Sequence, residues 1–340
     1  MYRLIFAGLS LLGSATATAA DVCPTMRQQQ FSADTATRIA AIACNEHHLW
    51  YRPFIDTSGR IASSTVWEGE ASRLDDGATE AWRRVAIYWL ESGLLRQMSG
   101  FAGASDCGYA TAGGGYLTSS CRAFVIDNPW SAAFVSYVLK KANLPGFRAS
   151  ASHFDYIRDA FLHPDESAYQ FLDPATATPA TGDLLCYVRI QSRAYGYQGL
   201  KTAIDSGVSG LNTHCDVVVA ANPGNDGKAY VIGGNVQQGV TMRLLPVNRS
   251  GLLWALPQRV GVDPECSPDT VASCNFNRQD WSVLLKLKSS AALARLAPAM
   301  QDKQSSPSAM PLSVPSTACC VNCVVGADPP VPRCPDPQSR

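Results

Sequence analysis

Between Thr79 and Gln97 the apolar residues Trp82, Val85, Ala86, Trp89, Leu90 and Leu94 recur at intervals of three and four. That spacing predicts an amphipathic helix whose aromatic stripe packs into a core. A helical pattern also runs from Ala36 to Leu49, until Trp50, Tyr51 and Pro53 interrupt it. The best-specified helix is expected from about Pro129 to Ala142. Asn128 suits the N-cap and Pro129 the first helical position, Lys140 and Lys141 suit the last turn, and Asn143 suits a left-handed cap ahead of Pro145. Ser131, Phe134, Val135, Val138 and Ala142 share one face, which puts Ser131 in the first turn on the inward side. Ser152 and Asp155 are spaced as a capping box ahead of a further helix carrying Tyr156, Ile157 and Phe161. The Gly- and Ser-rich stretch from Ser99 to Ser120 reads as a loop.

From Gly182 the pattern changes to strands. Leu184 to Ile190, Cys215 to Ala221, Ala229 to Ile232 and Val240 to Leu245 are β-rich runs separated by Gly, Asn and Pro, and Asp280 to Lys288 adds another. Helices first and strands later predict an α+β fold with helices packed on one side of an antiparallel sheet. After about Leu296 the composition turns to Pro, Ser and Cys without periodicity, so residues 297–340 are expected to be a disordered or disulfide-tied tail.

The N-terminus sets the compartment. Arg3, the apolar stretch Leu4 to Leu12 and the small residues from Ser14 to Ala20 form the three regions of an export signal, with cleavage expected after Ala19 or Ala20. The domain plan is therefore a signal over 1–20, a helical extension over 21–74, a main domain over 75–296 and the tail. Export makes the 12 cysteines legible as disulfides. Cys107 with Cys121, and Cys266 with Cys274, flank turn-rich loops and are expected as local bridges. Cys186 and Cys215 are expected to bridge if their strands are antiparallel neighbours, although two buried thiols fit nearly as well. Cys320 and Cys323 form a lone C-x-x-C with no second pair, which argues against zinc. No metal or other cofactor is expected.

A balance of 28 basic and 28 acidic residues, with no basic block, argues against nucleic acid as a partner. No apolar run of membrane-spanning length follows the N-terminus. The remaining candidates for chemistry are four features in a fixed order: the helix start Asn128-Pro129-Trp130-Ser131-Ala132-Ala133-Phe134-Val135, the pair Gly182-Asp183 before a strand, His214 at a strand start, and Gly233-Gly234-Asn235.

In these four features the sequence resembles the CHAP and NlpC branch of papain-like cysteine hydrolases, and more closely the bacterial family called domain of unknown function 2272. The resemblance covers roughly residues 75 to 290. It implies a papain-like fold, a nucleophile at position 131, a base at His214 and an orienting residue at Asn235, with Asp216 competing for that last role from the same strand face as His214. Trp130 and His153 are expected to line the same cleft as substrate contacts, although a helix-start histidine is otherwise a solvated residue.

The sequence departs from the pattern at position 131, where Ser stands in place of Cys. A helix N-terminus can lower a thiol pKa to a working thiolate, but a serine hydroxyl starts too high and needs a base to take its proton. Cys215 faces away from its neighbour His214, and Cys121 is expected to be bridged, so neither replaces the nucleophile. The expected function is an exported cell-envelope hydrolase cutting an amide bond of peptidoglycan or its peptide fragments through Ser131 and His214. The competing readings are an inactive envelope-binding protein that keeps the cleft and an acyltransferase.

Overall fold

The computed structural model describes residues 21–109, 115–189, 195–253, 256, 258–259 and 266–296. The expected signal, the tail and its four cysteines lie outside the described residues. Eight helices appear among them: α1 (Cys23–Met26), α2 (Thr35–Leu49), α3 (Ala81–Glu91), α4 (Gly115–Asp127), α5 (Ser131–Lys141), α6 (His153–Leu162), α7 (Gly196–Asp205) and α8 (Ser290–Leu293). The strands are β1 (Phe54–Ile55), β2 (Ile61–Ser63), β3 (Tyr169–Leu172), β4 (Leu184–Val188), β5 (Thr213–Ala221), β6 (Lys228–Val236), β7 (Gly239–Pro246) and β8 (Asp280–Leu287). They form one sheet in the order β2-β1-β7-β6-β5-β4-β8-β3. The fold is α+β, as the segregation of helical and strand patterns predicts.

The sheet is mixed rather than antiparallel, which corrects the expectation. β1 runs parallel to β7, pairing Phe54 with Met242, and Met242 N donates to Pro53 O at 3.0 Å. Two residues are too short to leave a periodic signal. The other pairings are antiparallel. β6 turns into β7 through Gln237 and Gln238, both at positive φ (53° and 60°), the backbone of a tight two-residue hairpin.

Both sheet faces are covered. Leu184, Cys186, Val188, Cys215 and Val217 join the core shared with the helices, whereas Leu185, Tyr187, Val218, Val231, Trp281 and Leu284 form a smaller cluster of their own. This explains why β4 is buried along its whole length and β5 over all but its last residue, without alternation. α5 is the central helix. It packs on β5 and β6 and between α2 and α3, and every residue from Ser131 to Leu139 is buried. Ala132 and Ala133 allow the close approach, and Asn143 takes the left-handed cap at φ 54°.

Several boundaries differ from expectation. α5 begins at Ser131, because Asn128 turns back and its Nδ2 donates to Phe124 O at 2.8 Å, closing α4. α4 itself occupies part of the stretch read as a loop; its Gly and Ser content hid it. α3 ends at Glu91 because Gly93, at φ 82°, breaks the turn. No side-chain cap forms at Ser152; Asp155 instead accepts from Ser150 Oγ at 2.6 Å.

Among the described residues four disulfides join Cys23–Cys44, Cys107–Cys121, Cys186–Cys215 and Cys266–Cys274. Three are the expected pairs, and Cys186 faces Cys215 directly across β4 and β5. Cys23–Cys44 ties α1 to α2. Four bridges fit a protein that matures in an oxidising compartment. Among the described residues no helix is long and apolar enough to cross a membrane.

Candidate functional site

Ser131 opens α5, and its hydroxyl sits where the helix leaves its first backbone N–H groups without intrahelical partners. The preceding residue, Trp130, occupies the cap position without a side-chain cap of its own. Its ring stacks on Trp50 and Tyr88, so the helix start is fixed by packing.

The ring that reaches Ser131 belongs to His153. As the first residue of α6, His153 is 3% exposed, and its Nε2 lies 2.7 Å from Ser131 Oγ. Tyr156, one turn further along α6, bonds His153 Nδ1 through its hydroxyl. The three residues form a buried Ser–His–Tyr chain. Burial first, and then the charges of His214 and Arg189, hold His153 well below the ordinary imidazole pKa, so its neutral form prevails at neutral pH.

His214 is not in hydrogen-bond contact with Ser131, which corrects the expected placement. It lies on β5, its ring 5.0 Å from that of His153, and both its nitrogens are committed elsewhere. An Arg189 guanidinium N–H donates to Nδ1 at 2.7 Å, so the ring proton sits on Nε2, which donates to Asp216 Oδ1 at 2.7 Å. Burial pushes the His214 pKa down to about 4, against the opposing pull of Asp216. Asp216 is itself raised by burial, but His214, Arg243 and Arg189 outweigh this and hold it below the usual range. Arg243 Nε lies 3.2 Å from Asp216 Oδ2, close enough for an ion pair but not aligned as a hydrogen bond.

Of the two candidates for orienting His214, Asp216 makes the contact. Asn235 sits at the end of β6 in the left-handed region, φ 54°. With its amide turned to satisfy both ends, it donates to Glu68 Oε2 at 2.9 Å and accepts from Trp130 N at 3.3 Å. Glu68 also accepts from Trp130 Nε1 at 2.5 Å, and burial raises its pKa. Asn235 and Glu68 thus hold the residue before Ser131. The two glycines ahead of Asn235 are needed for clearance: a Cβ at Gly233 would collide with Asp216 Oδ1, and one at Gly234 with the Phe134 side chain. The Gly182–Asp183 pair is structural, since Asp183 accepts from Ala180 N, Leu287 N and Lys286 Nζ and so ties β4 to β8.

Sequence reasoning missed Glu68, Arg189, Tyr156 and Arg243 as members of this cluster. Only Tyr156 carried a local signal, its i+3 spacing from His153. The other three are brought in by tertiary contacts. Tyr156 also lines a groove of about 340 Å3, bordered by Phe147, Arg148, Asp155, Arg158 and Tyr169. Among the described residues no group of three His, Cys, Asp or Glu side chains is placed to hold a metal ion.

The fold and this cluster define an α+β protein with a buried serine–histidine pair at a helix N-terminus. The chain belongs to the family called domain of unknown function 2272, described as an uncharacterized protein conserved in bacteria, whose model matches residues 76–287. No curated protein and no solved structure matches the chain.

Proposed function

We propose that this protein is an exported hydrolase of acyl bonds, with Ser131 as nucleophile and His153 as its base, acting on peptide amides of the bacterial envelope. The observation that carries the reading is the 2.7 Å contact between Ser131 Oγ and His153 Nε2 at the start of α5. For catalysis the serine O–H donates to Nε2, and Nδ1–H donates to Tyr156. During attack Nε2 takes the serine proton as Oγ bonds to the acyl carbon; the imidazolium gives that proton to the amine as the C–N bond breaks, and a water deprotonated by Nε2 then attacks the ester, releasing the acid and restoring the serine hydroxyl. The positive end of α5, with its free N–H groups, favours the oxyanion that forms. His214, held neutral by burial and by the charge of Arg189, walls the site beside His153 and makes no hydrogen bond to Oγ.

A peptide substrate is supported by the groove bordering Tyr156, whose hydroxyl bonds His153; its lining mixes Arg148, Asp155 and Arg158 with the rings of Phe147 and Tyr169. The four disulfides support export, and the order of motifs supports kinship with the CHAP and NlpC hydrolases. A second reading, a non-catalytic envelope-binding protein, is favoured by one observation: Ser131 is only 5% exposed, so an incoming carbonyl must displace its cover. Incubation with purified muropeptides and with 4-nitrophenyl acetate separates the two. Hydrolysis by the wild type and none by Ser131→Ala supports the hydrolase. Equal inertness, with retained muropeptide binding, supports the binder.

A further inference from the structure

A second cavity lies at the other end of β6 from Asn235. It measures about 470 Å3 and is walled by His47, Tyr51, Arg52, Phe54, Lys228 and Tyr230, with Asp21 also in its lining. Three independent observations single it out.

The first is backbone strain. Tyr51 and Arg52 are consecutive non-glycine residues in the left-handed region, at φ 65° and 56°. A Cβ makes that region costly, and such outliers concentrate where a ligand is held. The pair is locked by Tyr51 N donating to His48 O and Arg52 N to His47 O, both at 3.0 Å. The second is an unpartnered buried nitrogen. His47 Nε2 lies 2.9 Å from Pro53 O, and because a carbonyl only accepts, the ring proton sits on Nε2. Nδ1 is left with a bare lone pair, buried and without a partner among the described residues; it can accept a hydrogen bond from an O–H or N–H of a bound molecule but takes no part in holding an anionic group.

The third is uncompensated charge. Arg52 and Lys228 make no side-chain ion pair or hydrogen bond among the described residues, whereas Asp21 Oδ1 accepts from Cys23 N and Tyr230 OH donates to Asp226. Two free cations against one engaged carboxylate leave the lining net positive. Tyr51, Phe54 and Tyr230 supply flat apolar surface beside them.

We propose that this cavity is a binding site for a small ring-bearing organic anion, its phosphate or carboxylate held by Arg52 and Lys228 and its ring set among Tyr51, Phe54 and Tyr230. Cavities of this size hold small molecules, and a few placed polar groups in an apolar wall give orientation. The site is independent of Ser131.

Calorimetric titration of the whole protein with phenyl phosphate and with benzoate tests the proposal, with inorganic phosphate and phenol as controls. At least one ring anion should bind saturably and at least tenfold more tightly than either control. Arg52→Gln and Lys228→Gln should each weaken that binding at least fivefold, high salt should weaken it further, and Ser131→Ala should leave it unchanged. Both side chains are partly or fully exposed, and matching melting curves for the variants confirm that their folds are intact. No saturable binding of either ring anion, binding that either variant retains at full strength, or either control binding as tightly as the ring anions would overturn it.

Discussion

At the level of single residues, the site turns on which imidazole owns a free lone pair. His214 has none, because Arg189 takes Nδ1 and Asp216 takes the Nε2 proton. His153 directs Nε2 at Ser131. Replacing Ser131 by Cys keeps the geometry and lowers the proton-transfer barrier, since a thiol starts near ~8.5 and falls at a helix N-terminus. Ser131→Cys should therefore be alkylated by iodoacetamide at neutral pH at least tenfold faster than a free thiol, measured by intact mass. The buried histidines also set a pH dependence of stability. His47 and His214 are both pushed down to about 4 by burial, so the unfolded chain binds their protons first as pH falls. Their contribution is complete above about 6.5 and is lost as pH drops towards 4, at roughly 3 kcal/mol for each such shift. Glu68, raised by burial, works the other way over the carboxylate range. The melting temperature should fall between pH 6.5 and 4, and His47→Gln, whose amide can still reach Pro53, should flatten part of that slope.

At the level of elements, α2, α3 and α5 are joined by a buried polar knot. Glu46 accepts from Arg84 Nε at 2.8 Å, Tyr88 OH at 2.7 Å and Tyr137 OH at 3.2 Å, and Trp50 Nε1 donates to Tyr88. Glu46→Ala strands a guanidinium that is largely removed from water and should cost about 3–5 kcal/mol in chemical denaturation. Cys23→Ser should cost about 3 kcal/mol, the loop-closure value for a span of this length. Most of these elements were legible in the sequence, because α2, α3, α5 and α6 each bury a periodic stripe and β4 to β8 are β-rich runs. The site was legible by position and less so by partnership. Ser131, His214, Asp216, Asn235 and His153 all fall in one neighbourhood. What decided the hydrogen bonds was the approach of α6 to α5 and the reach of Arg189 and Glu68, which no local spacing encodes. β1 and β2 escaped for a simpler reason: two and three residues cannot show a period.

At the level of the whole molecule, residues 21–74 are part of the core. α2 packs on β5 and α5, β1 extends the sheet beyond β7, and Glu68 N donates to Gln238 O at 2.8 Å while its carboxylate holds Trp130 and Asn235. A chain starting at residue 75 should lose cooperative thermal unfolding, because α5 and the β7 edge would be stripped of cover. The site thus depends on three regions distant in sequence meeting at the start of α5. The claim that matters most is that His153 activates Ser131. Its most direct test is the rate of Ser131 modification by a fluorophosphonate probe, followed by intact mass and peptide mapping at neutral pH. The wild type should be labelled at Ser131, His153→Ala should be slowed about 100-fold or more, and a folded His214→Ala should keep most of the wild-type rate. Labelling that survives in His153→Ala but vanishes in a folded His214→Ala, or no labelling of Ser131 at all, would contradict it.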